Sequence, residues 1–199
     1  RTLSARGDAV DVLVYAEGAP VSYPGVRIHR IPRPPFVRGV GPGPSVKKLL
    51  CAVLFCVQAL RLARRGRYDL VHAVEESVFV AMLIRRLRGT PYLYDMDSCL
   101  SEQLTDKYRW LKLFRPWLLR CEAAAIRGAA TVVPVCQALA DIAARHRQGG
   151  VTVLHDVSLL SLHGSTQPPQ RALRAELGLT GPVVMYIGNL ERYQGIDLL

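Results

Sequence analysis

Short apolar runs alternate with helical patterns along most of this chain, and that alternation restricts its fold more than any other feature. The runs at residues 10–15, 26–31, 70–74, 92–94, 131–135, 151–154 and 183–187 are brief and β-branched or otherwise apolar. Such runs fit parallel strands covered on both faces. Between them, helical spacing is expected at 46–65, 77–87, 111–127, 138–146 and 170–177. Strand, helix, strand in this order implies βαβ units with right-handed crossovers. The expected fold class is therefore α/β, a doubly wound parallel sheet. Residues 3–15 read as a helix end, a turn at Gly7 and a strand, so an earlier strand and the first part of its helix are expected to precede Arg1.

A break in the pattern falls at residues 159–169, where Ser, His, Gly, Thr, Gln and two prolines replace it. The expected division is a first domain over 1–160, a linker over 161–169 and the start of a second domain over 170–199. Ligands of such sheets collect at the carboxyl ends of the strands. The loops to search are those beginning at His72, at Asp95 and at Gly188.

Charge narrows the partners. The formal net charge is +10. Between Gly18 and Tyr68 there are ten Lys or Arg residues and no Asp or Glu. A block of one sign fits an acidic lipid surface, a phosphorylated substrate or no specific partner at all. Nucleic acid is disfavoured, because aromatic residues are almost absent from the block. The helix expected at 46–65 falls short of the ~20 apolar residues that span a bilayer, and Gln58 and Arg61 interrupt it. It is expected to be a buried helix of the α/β core, with a place in the membrane interface as the alternative. Five cysteines at scattered positions fit no zinc spacing, so no metal is expected and the thiols read as reduced.

Motifs then carry the reading further. The segment VVMYIGNLERYQGIDLL, residues 183–199, is a strand, a glycine turn at Gly188, a polar loop, and Gly195 before a helix start. Backbone N–H groups and a helix dipole converge on an anion in such a unit. This segment resembles the opening of the C-terminal domain of family 4 glycosyltransferases. YDLVHAVEES (68–77), TPYLYDMDSCLSEQL (90–104), CEAAAIRGAATVVPVCQAL (121–139) and LRAELGL (173–179) are similar to successive segments of the same family. The resemblance implies one Rossmann-like half of a GT-B fold joined to the start of the other half. It also implies transfer of a sugar from a nucleotide-sugar donor to an acceptor hydroxyl with retention, and no metal or other cofactor.

The resemblance assigns donor contacts to Gly188, Asn189, Arg192, Gln194 and Gly195. The family usually has Arg where Asn189 stands and Lys where Gln194 stands, so Arg192 becomes the cation expected at the donor diphosphate. Asp97 stands where many members have a histidine near the reacting sugar, and Glu75 falls at an acidic position of the family motif. Both are expected at the catalytic centre. His72, Asp95 and Arg38 are candidates on the acceptor side, with a hydrogen-bonded core role as the other reading of His72. Asp95 and Asp97 are not expected to act as a carboxylate pair; one caps the helix that follows, and the other faces the cleft. Cys136 stands at a helix N-cap as a poor capping residue, and Gly39, Gly41 and Gly43 mark a loop near any anionic acceptor. The expected partners are a nucleotide-sugar donor and a glycan or lipid-linked acceptor, at the cytoplasmic face of a membrane. A GT-B sugar-nucleotide epimerase and a non-catalytic binding module are the rival functions. The residues that distinguish them are expected beyond Leu199, and residues 1–199 alone are expected to be inactive.

Overall fold

The computed structural model describes residues 2–33, 46–107, 109–157 and 173–184. A one-turn helix α1, Thr2–Ala5, leads through Gly7 into strand β1, Val10–Val14, and β2 follows at Val26–Arg30. These two strands pair in parallel, with Val10 opposite Val26 and Val14 opposite Arg30. Helix α2, Val46–Arg65, precedes β3, Val71–Val74; α3, Val78–Arg88, precedes β4, Tyr92–Met96. Then come α4, Leu100–Lys107; a 3-10 helix, Arg109–Phe114; α5, Arg115–Gly128; β5, Thr131–Pro134; α6, Gln137–Ala144; and the short α7, Leu173–Glu176. The second sheet has the order β3-β4-β5. Helices intervene between β2 and β3 and between each later pair of strands, whereas β1 and β2 are joined without one, and the fold is α/β with parallel sheets.

By contact the chain divides into two compact units, Arg1–Tyr94 with Gly128–Thr131, and Asp95–Arg127 with Val132–Leu199. In the first unit, β1 and β2 are pinned by a buried carboxylate. Asp11 on β1 has a side chain only 8% exposed. It accepts Arg27 Nε at 2.7 Å and Nη2 at 3.1 Å, and the Tyr68 hydroxyl at 2.7 Å, while His29 Nε2 lies at 3.2 Å. Burial alone would raise the Asp11 pKa, but the bonds from Tyr68, His29 and Arg27 and the guanidinium charge hold it below the ordinary carboxylate value. Burial and the Asp11 carboxylate push the Tyr68 hydroxyl up to about 12.

Helix α2 packs Cys51, Leu54 and Phe55 against Leu13, Ala16 and Ile31. Farther along, Ala63 with Cys56, Ala59 and Leu60 meets Val71, Val80 and Ile84. On its opposite side Leu49, Leu50, Val53 and Val57 are exposed among the described residues. The expectation of a buried core helix is corrected to a helix buried along one face only. Helix α3 ends as its sequence requires, with Gly89 at a φ of 75° accepting the left-handed turn that closes it. A cavity of about 530 Å³ opens over the valine face of β1 and β2, lined by Val10, Val12, Val14, Val26 and Ile28, and no sequence-predicted site residue lines it.

Three other boundaries differ from the sequence expectation. Strand β4 continues to Met96, with Tyr92, Tyr94 and Met96 fully buried and Leu93 and Asp95 half-buried between them. The helix expected over 111–127 is a 3-10 helix that gives way to α5 at Arg115. Pro116 is the reason: its ring cannot follow an α-helical turn without striking the carbonyl four residues back, but it fits the first turn of a new helix. Residues 151–154 form a single parallel bridge, Val132 to Val151, rather than a full strand. The Thr152 and Leu154 amides nevertheless reach Val132 O and Pro134 O, each at 3.0 Å, so the run lies extended along β5. Val183 and Val184 are described but not in a strand. The rest of that expected strand and the linker at 161–169 lie outside the described residues.

Candidate functional site

Each unit has a polar loop at the end of its strands. In the first unit, β3 runs into a 3-10 turn, Glu75–Ser77, before α3 begins at Val78. Glu75 takes a φ of 46°, the only positive φ at a non-glycine position among the described residues. A left-handed backbone at a glutamate costs about 1–3 kcal/mol, and such strain gathers at functional sites. Ser77 steadies the turn by donating its hydroxyl to Val74 O at 2.7 Å. Glu75 is half-buried and Glu76 exposed. Tyr15, just past β1 and 5.6 Å ring to ring from Phe55, has its hydroxyl pushed up by burial and by the charge of Glu76. The loop after β3 thus lies within electrostatic reach of the end of β1. His72 is exposed on β3 beside the buried Ala73, so a core role for this histidine is corrected to a surface one.

In the second unit, Asp95 is the half-buried residue near the end of β4, and Asp97 is exposed in the bend that follows. Cys99, Leu100 and Ser101 then turn inward and are buried. What holds them is Glu122, a residue of α5 that is itself only 4% exposed. Its Oε1 accepts the Leu100 N–H at 2.9 Å, and its Oε2 accepts the Ser101 hydroxyl at 2.5 Å and the Cys99 thiol at 3.4 Å. Leu100 is the first residue of α4, so a carboxyl group from another helix satisfies an amide that α4 itself leaves without an intrahelical acceptor. Thr105 adds a bond from its hydroxyl to Ser101 O at 2.9 Å. Burial raises the Cys99 thiol pKa, and although the Ser101 bond opposes this, the carboxyl charges of Glu122 and Glu102 reinforce it. Cys99 is thus a packed thiol rather than a nucleophile.

The same end of the second unit receives β5. The Val135 amide bonds Met96 O at 3.2 Å, and Val135 O lies 3.1 Å from His155 Nδ1. Cys136, extended at φ −147° and ψ 166°, precedes α6 and makes no side-chain cap bond, in line with its reading as a poor cap. The structure therefore brings Met96, Val135 and the exposed His155 together at the foot of the bend that carries Asp97. Glu122 and His155 are the residues that sequence reasoning missed. For His155 there was a signal, since it directly follows the apolar run 151–154.

Arg38 and the donor group Gly188, Asn189, Arg192, Gln194 and Gly195 lie outside the described residues, as do Gly39, Gly41 and Gly43. His72 and Glu75 belong to one unit and Asp95 and Asp97 to the other. Among the described residues no cluster of three or more His, Cys, Asp or Glu side chains is arranged to hold a metal ion.

A parallel α/β fold with acidic loops at the carboxyl ends of β3 and β4 is a Rossmann-like arrangement. Residues 1–155 match the model of the glycosyl transferase 4-like domain, and the chain belongs to that family. No curated protein matches the chain.

Proposed function

We propose that this chain is the acceptor-side part of an enzyme that moves a hexose from a nucleotide-sugar donor to an acceptor hydroxyl, with retention of anomeric configuration and without a metal. Residues 1–160 would form the acceptor domain, 161–169 the linker and 170–199 the start of the donor domain. Turnover would then need a complete donor domain, and residues 1–199 by themselves would transfer no sugar. The observation that carries this reading is the family match over residues 1–155, which spans both acidic loops. In this scheme Glu75 and Asp97 act at the reacting sugar: a carboxylate stabilises positive charge at the anomeric carbon or orients the acceptor hydroxyl. His72 and Asp95, with Arg38, contact the acceptor. Arg192 grips the diphosphate beside Gly188, Asn189, Gln194 and Gly195, neutralising charge on the leaving group.

The acceptor is proposed to be a glycan or lipid-linked sugar at the cytoplasmic face of a membrane. The basic block before Tyr68 and the exposed apolar stripe of α2 support that location. Among the described residues no helix is long and apolar enough to cross a membrane.

Calorimetry of the full-length protein with UDP, GDP, ADP and their sugar conjugates tests the reading. One nucleotide should bind, and Arg192→Ala should weaken it about tenfold, the loss expected for one charge-assisted contact. Absence of binding by every nucleotide would refute the transferase reading. It would favour a non-catalytic module, which the replacement of the family's two cations by Asn189 and Gln194 already makes the second reading.

A further inference from the structure

From Lys107 to Cys121 the chain has five basic residues, no acidic ones and both of its tryptophans. The 3-10 helix Arg109–Phe114 runs directly into α5 at Arg115. Trp110 and Leu113 lie one 3-10 turn apart, and Phe114 and Trp117 recur about one helical turn farther on. Such a stripe is ordinarily core, but here it is not: Trp110 is 67% exposed, Leu113 83%, Phe114 49% and Trp117 62%. The Trp110 and Phe114 rings meet edge to face at 6.3 Å, so they form one apolar surface. Lys112, Arg115 and Arg120 are exposed among them. Core packing by α5 uses its second half, where Glu122, Ala123, Ala125 and Ile126 are buried.

Large aromatic side chains beside cations, in a stretch without acidic residues from Lys107 to Cys121, match the boundary between acyl chains and acidic headgroups. Tryptophan settles at that depth, and Lys and Arg gain from the negative surface. We propose that the surface of Trp110, Leu113, Phe114 and Trp117, flanked by Lys112 and Arg115, docks on an acidic lipid bilayer. This rests on the membrane part of the function proposed above and gives it a site. The absence of acidic residues from Lys107 to Cys121 favours lipid over a second copy of the chain, because two such stretches would bring like charges together.

Flotation of the full chain with vesicles of phosphatidylcholine alone, or mixed with phosphatidylglycerol, tests the proposal. Binding is expected to the mixed vesicles only, and salt should weaken it. Tryptophan emission should move to the blue on binding, because both tryptophans of the chain lie in the patch. Trp110→Ala with Trp117→Ala should lower partitioning about tenfold or more, and Lys112→Glu with Arg115→Glu should abolish the preference for the acidic lipid. All four positions are exposed, so circular dichroism should show the fold intact. If the unmodified chain ignores acidic vesicles, the membrane reading and this surface both fall. If it binds and the tryptophan pair makes no difference, the membrane reading stands and this surface is refuted; loss of binding by Leu49→Ser with Val53→Ser would then place contact on α2. Lipid-independent blue shift with a doubled mass in sedimentation would assign the surface to a second copy and overturn the proposal.

Discussion

Replacing Glu122 should destabilise the loop that carries Asp97, and the size of the effect follows from its bonds. In Glu122→Ala the Leu100 N–H and Ser101 hydroxyl, both buried, lose their acceptor. Each unsatisfied buried donor costs about 1–3 kcal/mol. The Cys99 thiol, at 3.4 Å, adds little. Removing a buried carboxyl group returns part of its desolvation cost, which leaves a net loss of about 2–4 kcal/mol. In a chain of 199 residues this corresponds to a fall in Tm of roughly 5–15 °C. Glu122→Gln keeps an oxygen for the Leu100 amide, and the Ser101 hydroxyl can rotate to accept from the new NH2 group. Its loss should be about 1 kcal/mol, less than half that of alanine. Thermal unfolding followed by circular dichroism measures both variants. A double-mutant cycle with Ser101→Ala should return a coupling of about 1–2 kcal/mol. A coupling near zero, or an alanine variant no less stable than the glutamine variant, would show that the carboxyl group does not hold this loop.

Two further predictions concern the first unit. The lowered pKa of Asp11 means that its contribution to stability is complete above the unfolded carboxylate value of ~4 and is lost as pH falls through the folded value. Asp11→Asn should therefore flatten the acid side of the pH–stability curve, measured by urea titration at stepped pH; an unchanged acid slope would contradict the role given to the Tyr68, His29 and Arg27 bonds. At Glu75, Gly accepts the 46° φ freely, so Glu75→Gly should unfold no earlier than the parent chain, whereas Glu75→Val should lose about 1–2 kcal/mol. In the full-length enzyme the glycine variant should still lose sugar transfer, and full activity would remove Glu75 from the site.

The elements of this fold were legible because they depend on local spacing. Parallel strands such as 10–14 and 131–134 are short apolar runs wherever they pack, and α2 was expected at the bounds observed, 46–65. What spacing does not report is whether an apolar face is covered. Leu49 and Val53 on α2, and Trp110 and Trp117 farther on, have the periodicity of core residues and yet lie exposed. Glu122 shows the converse. A lone acid between Cys121 and Ala123 reads as a solvated helix position, and its burial depends on donors more than twenty residues earlier in the chain. The α5 start at Arg115 has its local signal in Pro116, which apolar spacing over 111–127 does not report.

Glu75 is where local backbone chemistry and the site reading pull apart. A turn that needs a positive φ is met at lowest cost by glycine or asparagine, and the chain uses glycine for that purpose at Gly89. Immediately after β3 it places a glutamate there, half-buried and followed by a second acid, with Ser77 tying the turn back to Val74. The strain is explained if the carboxyl group is required at the carboxyl end of that strand, where α/β folds bind their ligands. Asp97 follows the corresponding end of β4 on a loop anchored from behind by Glu122. Under the proposed function, Glu75 and Asp97 stand on backbone held by other residues, the preorganisation that charge stabilisation at a reacting sugar would require.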